Sequence, residues 1–465
     1  MKMPSTNRLL SLHARLTAFS IRSLLSVWTL VLFFVCGPSL VCAEEAVFRA
    51  AAAEVNITPT EPISIVGPGS KSTGVADELF ARVLVIDDGT APIAIITTDL
   101  VGTGIAYATA LRESIEKETG IPASRVMFNC SHSHNAPGAG LPADSKTPSY
   151  GREVLQKITK ITAEAMGSLE PARVAVGRES VQIGFNRRMP AAWGVTMTVN
   201  PDGPVVPWVD VIGVYGENNK RIGILFAYAA HPVVIHSSSS LISADYPGYA
   251  VMHLHKMLMP SKNKGGVLMF AQGCGGNINA FPLKGGLDAC SRVGLVLGQA
   301  VTRVQLEDIA PADIHDASYQ VDLPIQQPPP AEELDKLLTK SPGDLRYQRL
   351  KKLSQSKQPK TMPYPMSAFA IGDEVCIIAL PHETFCDYQL WAVEKSPYKH
   401  TLVFGYTNGI EGYVAAKKDY DLGYRAGYEA SPTPHRMPPS AESETIIKDG
   451  ISQLWKKLKE QRRGE

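Results

Sequence analysis

The stretch Val126-Met127-Phe128-Asn129-Cys130-Ser131-His132-Ser133-His134-Asn135-Ala136-Pro137-Gly138 constrains the chain more than any other. Its apolar start reads as a buried strand, and its Pro-Gly end reads as the turn that stops it. In extended backbone, residues two apart leave the same face, so His132 and His134 are expected to project together from the strand's end. Loops held beyond strand ends by a rigid sheet are where functional groups collect. Neutral imidazole is the commonest metal ligand and a competent acid or base near neutral pH. Two surface histidines on a loop are the plainer reading of the same pattern. The rest of the chain has to choose between them.

Composition removes several classes. Lys+Arg 46 against Asp+Glu 45 leaves the chain near neutrality, and the balance turns slightly negative once residues 1–43, with four basic side chains and no acid, are set aside. There is no basic field for nucleic acid and no polybasic patch for lipid headgroups. Residues 1–43 read as a secretory signal peptide. Arg8, Arg15 and Arg22 precede an apolar run over residues 24–36, and small or permissive residues lead to Ala43. That run is shorter than the ~20 residues a membrane span needs. The expected localisation is therefore exported, periplasmic or secreted. Five cysteines remain after cleavage, an odd number with no Cys-x-x-Cys spacing, so no disulfide scaffold is expected. Cys130 and Cys274 read as small buried residues.

Along the chain, short apolar runs alternate with helical patterns. Residues 79–86 and 93–100 read as strands joined by Asp87-Asp88-Gly89, and residues 105–118 as a helix closed by Gly120. Residues 152–169 and 288–304 read as helices. Residues 209–215 and 222–229 read as a hairpin that delivers His231, with residues 267–271 as a strand after it. Residues 184–188 read as a polar loop, and 243–250 as a loop leading into a helix. Residues 324–365, rich in Pro, Lys, Gln and Ser, read as an excursion holding two short helices. A hairpin over 368–380 delivers Glu383, and Ile447, Ile451, Leu454 and Leu458 mark a closing amphipathic helix. The pattern predicts an α/β fold: a mixed β-sheet core with flanking helices and a metal site at strand ends and loops.

Taken in order, these strand ends resemble the neutral/alkaline non-lysosomal ceramidase family. Ser131-His132-Ser133-His134-Asn135-Ala136-Pro137-Gly138 is similar to the family's Ser-His-Thr-His-Ser-Gly-Pro-Gly. Ala230-His231-Pro232 resembles its second metal-binding segment. Residues 243–250 resemble its Ser-Asp-x-x-Gly-Tyr-Ala, and Pro381-His382-Glu383 its Pro-Gly-Glu. The run from Gly405-Tyr406-Thr407-Asn408 to Tyr413-Val414 resembles its Gly-x-x-Asn through Tyr-Val. The resemblance implies zinc held by His132, His231, Glu383 and Tyr413. It implies that His134 and Tyr428 face the reacting carbonyl, and that Arg187 matches an arginine near the substrate. Asn279 stands where the family carries its nucleophilic serine, and an amide is not a nucleophile. Either a metal-activated water attacks directly or Asn279 orients the substrate. Asp99 or Asp245 is expected either to orient a ligand histidine or only to cap a turn. His236, His253, His255, His382 and His435 are expected in structural or rim roles.

The expected organisation is a signal peptide over 1–43 and one ceramidase-like catalytic domain over 44–465, without the family's C-terminal immunoglobulin-like domain. The expected function is an exported zinc-dependent hydrolase cleaving an amide bond, with the N-acyl linkage of ceramide-like sphingolipids as the first candidate. A zinc amidase or esterase for another periplasmic substrate and a catalytically silent binding protein are the alternatives. The partner is a lipid or other N-acyl small molecule, with peripheral membrane contact left open. No nucleic acid or protein partner is indicated.

Overall fold

The computed structural model describes residues 48–142, 149–258, 265–433 and 436–464, apart from the side chain of Tyr424. The expected signal peptide and His435 lie outside the described residues. Among the described residues the largest sheet has nine strands. Eight run in the order Val267–Gln272, Arg221–Tyr228, Trp208–Tyr215, Glu170–Ser180, Phe48–Asn56, Phe80–Asp87, Ile93–Thr98, Val126–Cys130, and Glu307–Ile309 pairs alongside Glu170–Ser180. The pairings at both ends of this order are parallel and those between are antiparallel. The mixed sheet expected from the sequence is thus present.

A second sheet, in the order Ile314–Pro324, Thr361–Ile371, Val375–Ala379, His400–Phe404, packs against the first. Phe369, Ile377 and Phe404 share one buried cluster with Leu84, Ile95 and Leu225. The outer face of the large sheet is covered by the helices Ile105–Thr119 and Tyr150–Met166 at one end, and by Asp245–Leu258 and Gly286–Arg303 at the other. Helices Cys386–Lys395 and Ser443–Arg463 cover the outer face of the second sheet. The strands read as unbroken apolar runs because both of their faces are buried in this four-layer stack.

Three readings change. Residues Gly184–Ala191 are a strand, paired with Gly194–Asn200 on one side and Ile278–Ala280 on the other. Asn186, Arg187 and Arg188 looked like loop residues because they are polar, but all three are buried at the site. The helix after His231 starts earlier than expected, at Asp245. The excursion is also shorter: Ile314–Pro324 and Thr361–Ile371 pair along their whole length, so only the residues between them leave the sheet. Helices Ala331–Lys340 and Leu345–Ser354 in that segment bury Leu334, Leu350 and Leu353 against the cluster holding Met362 and Met437.

One buried side chain ties the site's strand ends together. Asn129 Nδ2 donates to the carbonyls of Gln272 (3.1 Å) and Gly405 (2.7 Å), while its Oδ1 accepts from the Gln272 amide (2.8 Å). Two strands at opposite ends of the large sheet and one of the second sheet therefore finish at the same place. A buried amide with its hydrogen bonds met holds such a junction in a single arrangement.

Candidate metal centre

His132 and His134 follow the strand that ends at Cys130, and His231 follows Arg221–Tyr228. Glu383 and Tyr413 face each other as the first pair of a short parallel bridge, so their side chains leave one face together. Strand alternation is not what brings the two leading histidines together. His132 has φ 69, a left-handed backbone that bulky residues adopt at a cost of about 1 kcal/mol or more. The turn is held by His132 N–H on the Leu100 carbonyl and His134 N–H on the Pro232 carbonyl. The two rings meet edge to face at 5.1 Å.

His231 Nε2 and His132 Nε2 lie 3.0 and 3.2 Å from the same atom, Glu383 Oε2. The other nitrogen of each ring faces a carbonyl: His132 Nδ1 lies 2.5 Å from Val101 O, and His231 Nδ1 2.7 Å from Gly275 O. A carbonyl only accepts, so each Nδ1 carries its proton. Burial, then the charge of Arg187, takes His231 down to about 3. Burial alone would raise Glu383, but the His132 and His231 side chains beside it hold it well below the usual carboxylate range. His231 is thus neutral and Glu383 ionised. A neutral ring with Nδ1 protonated turns its Nε2 lone pair towards the carboxylate oxygen, which is a repulsive contact. A cation at that shared focus makes the contact favourable, so the residues fit a metal. Imidazole with carboxylate is a donor set that suits zinc.

His134 completes a group of three histidines whose ligand atoms lie within 4.8 Å of one another. Both of its ring nitrogens are buried without a hydrogen-bond partner. Burial, then His132 and His231, holds it well below its ordinary value, so it is neutral at pH 7. The ring of His236 lies 5.3 Å from it. Tyr413 stacks on His231 at 6.3 Å, and Tyr428 meets Tyr413 at 5.6 Å with most of its own side chain exposed.

Arg187 is buried and hydrogen-bonds three groups at once. It donates to Asn279 Oδ1 (2.9 Å), the Gly276 carbonyl (2.8 Å) and the Tyr413 hydroxyl (3.2 Å). The eight expected site residues are therefore brought together, although they are spread from position 132 to 428. With its oxygen held by Arg187, Asn279 has no hydrogen-bond partner for Nδ2 among the described residues. Its strand, Ile278–Ala280, is fastened to His231 through the backbone (His231 N–H to Ile278 O, 2.8 Å).

Of the two roles open to Asp99 and Asp245, orienting a histidine falls to neither acid, and both accept from backbone amides. Asp99 pairs with Arg82 at 2.9 Å, and Asp245 accepts from the backbone amides of Val234, Ile235 and Tyr246. Backbone carbonyls orient the rings instead. His253 bonds Ser291, and His382 bonds the Pro363 carbonyl, both structural roles. All five described cysteines are buried and free.

Three contributors escaped the sequence reading. Tyr406 lies 4.6 Å from the His132 ring with its hydroxyl 3.4 Å from His231 Nδ1. Arg188 and Glu429 form a buried ion pair behind Arg187. Tyr406 lay inside a quoted motif and could have been singled out there. Nothing local marks Arg188 or Glu429. A cavity of about 510 Å³ is lined by Asn186, Arg188, Pro190, Val195 and Leu422 and by none of the clustered histidines.

Residues 66–281 match the family model for neutral/alkaline non-lysosomal ceramidase, N-terminal. The match takes in His132, His134, Arg187, His231 and Asn279 and stops short of Glu383. The fold is similar to that of the neutral ceramidase from Pseudomonas aeruginosa, with TM-score 0.67 and 20% identity over 89% of this chain and 75% of that one. It is equally similar to a ceramidase solved in complex with C2, with TM-score 0.67 and 18% identity over 89% of this chain and 76% of that one. No curated protein matches the chain.

Proposed function

We propose that this ceramidase-like hydrolase is a zinc-dependent amidohydrolase that cleaves the N-acyl bond of a ceramide-like lipid. The observation that carries the proposal is the shared focus: two imidazole Nε2 atoms converge on one oxygen of Glu383. His132, His231 and Glu383 would hold the metal, with Tyr413 as the fourth ligand. When bound, zinc polarises a carbonyl and lowers the pKa of a bound water to about 7. The chain's own side chains do the rest. His134, with neither ring nitrogen bonded, takes a proton from the attacking group and returns it to the leaving nitrogen. The Tyr428 hydroxyl donates to the substrate carbonyl as charge develops there. Arg187 fixes Asn279 so that its Nδ2 donor is left for the substrate.

The proposal includes export directed by residues 1–43, a single catalytic domain over 44–465, and peripheral contact with lipid. Met189, Trp193, Met197 and Val199 on one hairpin, with Leu422 and Tyr428 on the segment packed against it, are exposed large apolar side chains that support such contact. Among the described residues no helix is long and apolar enough to cross a membrane.

Asn279 favours a second reading, hydrolysis of a different amide or ester. A fluorogenic N-acylsphingosine assay separates the two. Turnover by the wild type that is lost in His134→Ala supports the first reading. No turnover by the wild type, with turnover gained in Asn279→Ser, supports the second.

A further inference from the structure

Behind Arg187 lies a second arginine with no part in the roles assigned so far. Arg188 is buried, and its guanidinium is spent on one stretch of chain. Nε donates to Asp419 (3.0 Å), Nη1 to Glu429, and Nη2 to the Ala426 carbonyl. These three acceptors lie on residues 417–430, and two of them flank Tyr428. The other oxygen of Glu429 sits 2.7 Å from Arg187 Nε, off the line of a straight hydrogen bond. One buried carboxylate thus bridges the arginine that holds Asn279 and the arginine that holds the Tyr428 segment.

The packing is independent of these charges and agrees with them. Residues 417–430 lie against the hairpin Gly184–Ala191/Gly194–Asn200, the first strand of which carries both arginines. A Cβ on Gly194 would come within 2.6 Å of the Arg425 carbonyl, and Gly427 takes φ 75 where its segment meets Val195. Tyr428, by contrast, has little packing of its own, being 63% exposed. Its place near Tyr413 has to come from its neighbours in the chain.

We infer that Arg188 and Glu429 are positioning residues for the reaction: Arg188 clamps residues 417–430 onto the hairpin, and Glu429 sets Tyr428 and Arg187 at a fixed spacing. The planar guanidinium suits this task because it offers donors in several fixed directions, whereas a lysine offers one head group. The inference rests on the roles proposed for Tyr428 and Arg187, but the clamp can be read without any substrate.

Glu429→Gln keeps the shape and one acceptor while removing the charge. Arg188→Lys keeps a charge and removes the fork. Amide hydrogen exchange is measured on residues 417–430 of the full chain, next to kcat and KM on the fluorogenic N-acylsphingosine and zinc content. In both variants exchange should rise in that segment alone. Displacements of about 1 Å at a reacting group cost on the order of 100-fold, so kcat should fall by roughly that factor in Glu429→Gln, with KM and zinc little changed. Unchanged exchange in both variants overturns the clamp. Raised exchange with unchanged kcat overturns its positioning role. Absence of turnover in the wild type would strike the proposed function instead, and the exchange measurement would still decide the clamp.

Discussion

The two halves of the site are built by different means. On the side proposed to hold metal, His132 and His231 are aimed by backbone carbonyls at Val101 and Gly275, and both rings sit just beyond strands of one large sheet. On the substrate side, Asn279 and Tyr428 are set by side chains, with Arg187, Arg188 and Glu429 as the frame. Backbone carbonyls cannot be mutated away and hold one geometry. A network of buried charges holds its geometry only while every member is present, because a lone buried charge is costly. The metal side should therefore fail only when a ligand is lost, whereas the substrate side should be sensitive to residues that touch no substrate.

Predictions can break this contrast. The largest effect belongs to His231→Ala, which removes a ligand at a fully buried position. Turnover and bound zinc should both vanish while circular dichroism keeps its folded signature. Zinc retained at wild-type levels would remove His231 from the metal side. Glu383→Gln comes next. Its neutral amide no longer balances a cation, and metal affinity should drop by at least the 10–100-fold typical of losing a supporting partner, as followed by competition with a chelator.

Arg187→Ala should cost roughly 100-fold in kcat through misplacement of Asn279. It should also lower stability by about 3–5 kcal/mol, because Glu429 loses one of its two partners, with zinc content unchanged. Denaturant unfolding and elemental analysis would check the two arms. The smallest effect on the metal is expected at Asp99. Asp99→Asn breaks the buried pair with Arg82, so the melting temperature should fall, yet zinc should stay at wild-type stoichiometry because no ligand leans on Asp99. Zinc loss in that variant would return Asp99 to the role of orienting a histidine.

The same contrast explains what could be read from the sequence. The half proposed to hold metal was legible because its residues sit directly after apolar runs, and those runs show their periodicity locally. His132, His134, His231 and Glu383 could each be placed at a strand end, and helices such as Ile105–Thr119 and Ser443–Arg463 follow their apolar spacing closely. The substrate side was harder to read. Residues Gly184–Ala191 hide a strand because Asn186, Arg187 and Arg188 are polar side chains buried for the sake of the site, and polarity normally signals solvent. Glu429 pairs with arginines more than two hundred positions away, a contact with no periodic signature. Asp99 and Asp245 were credible orienters by residue type, but the carbonyls that do the orienting belong to the backbone and carry no letter in the sequence. Asn129 likewise looked like one polar residue in an apolar run, although it joins three strand ends.

The central claim is that a metal ion sits where His132 and His231 converge on Glu383. Elemental analysis of the purified wild type beside His132→Ala tests it most directly. The account predicts one zinc per chain in the wild type and loss of that zinc in the variant. No stoichiometric zinc in the wild type, or unchanged metal content in His132→Ala, would contradict it.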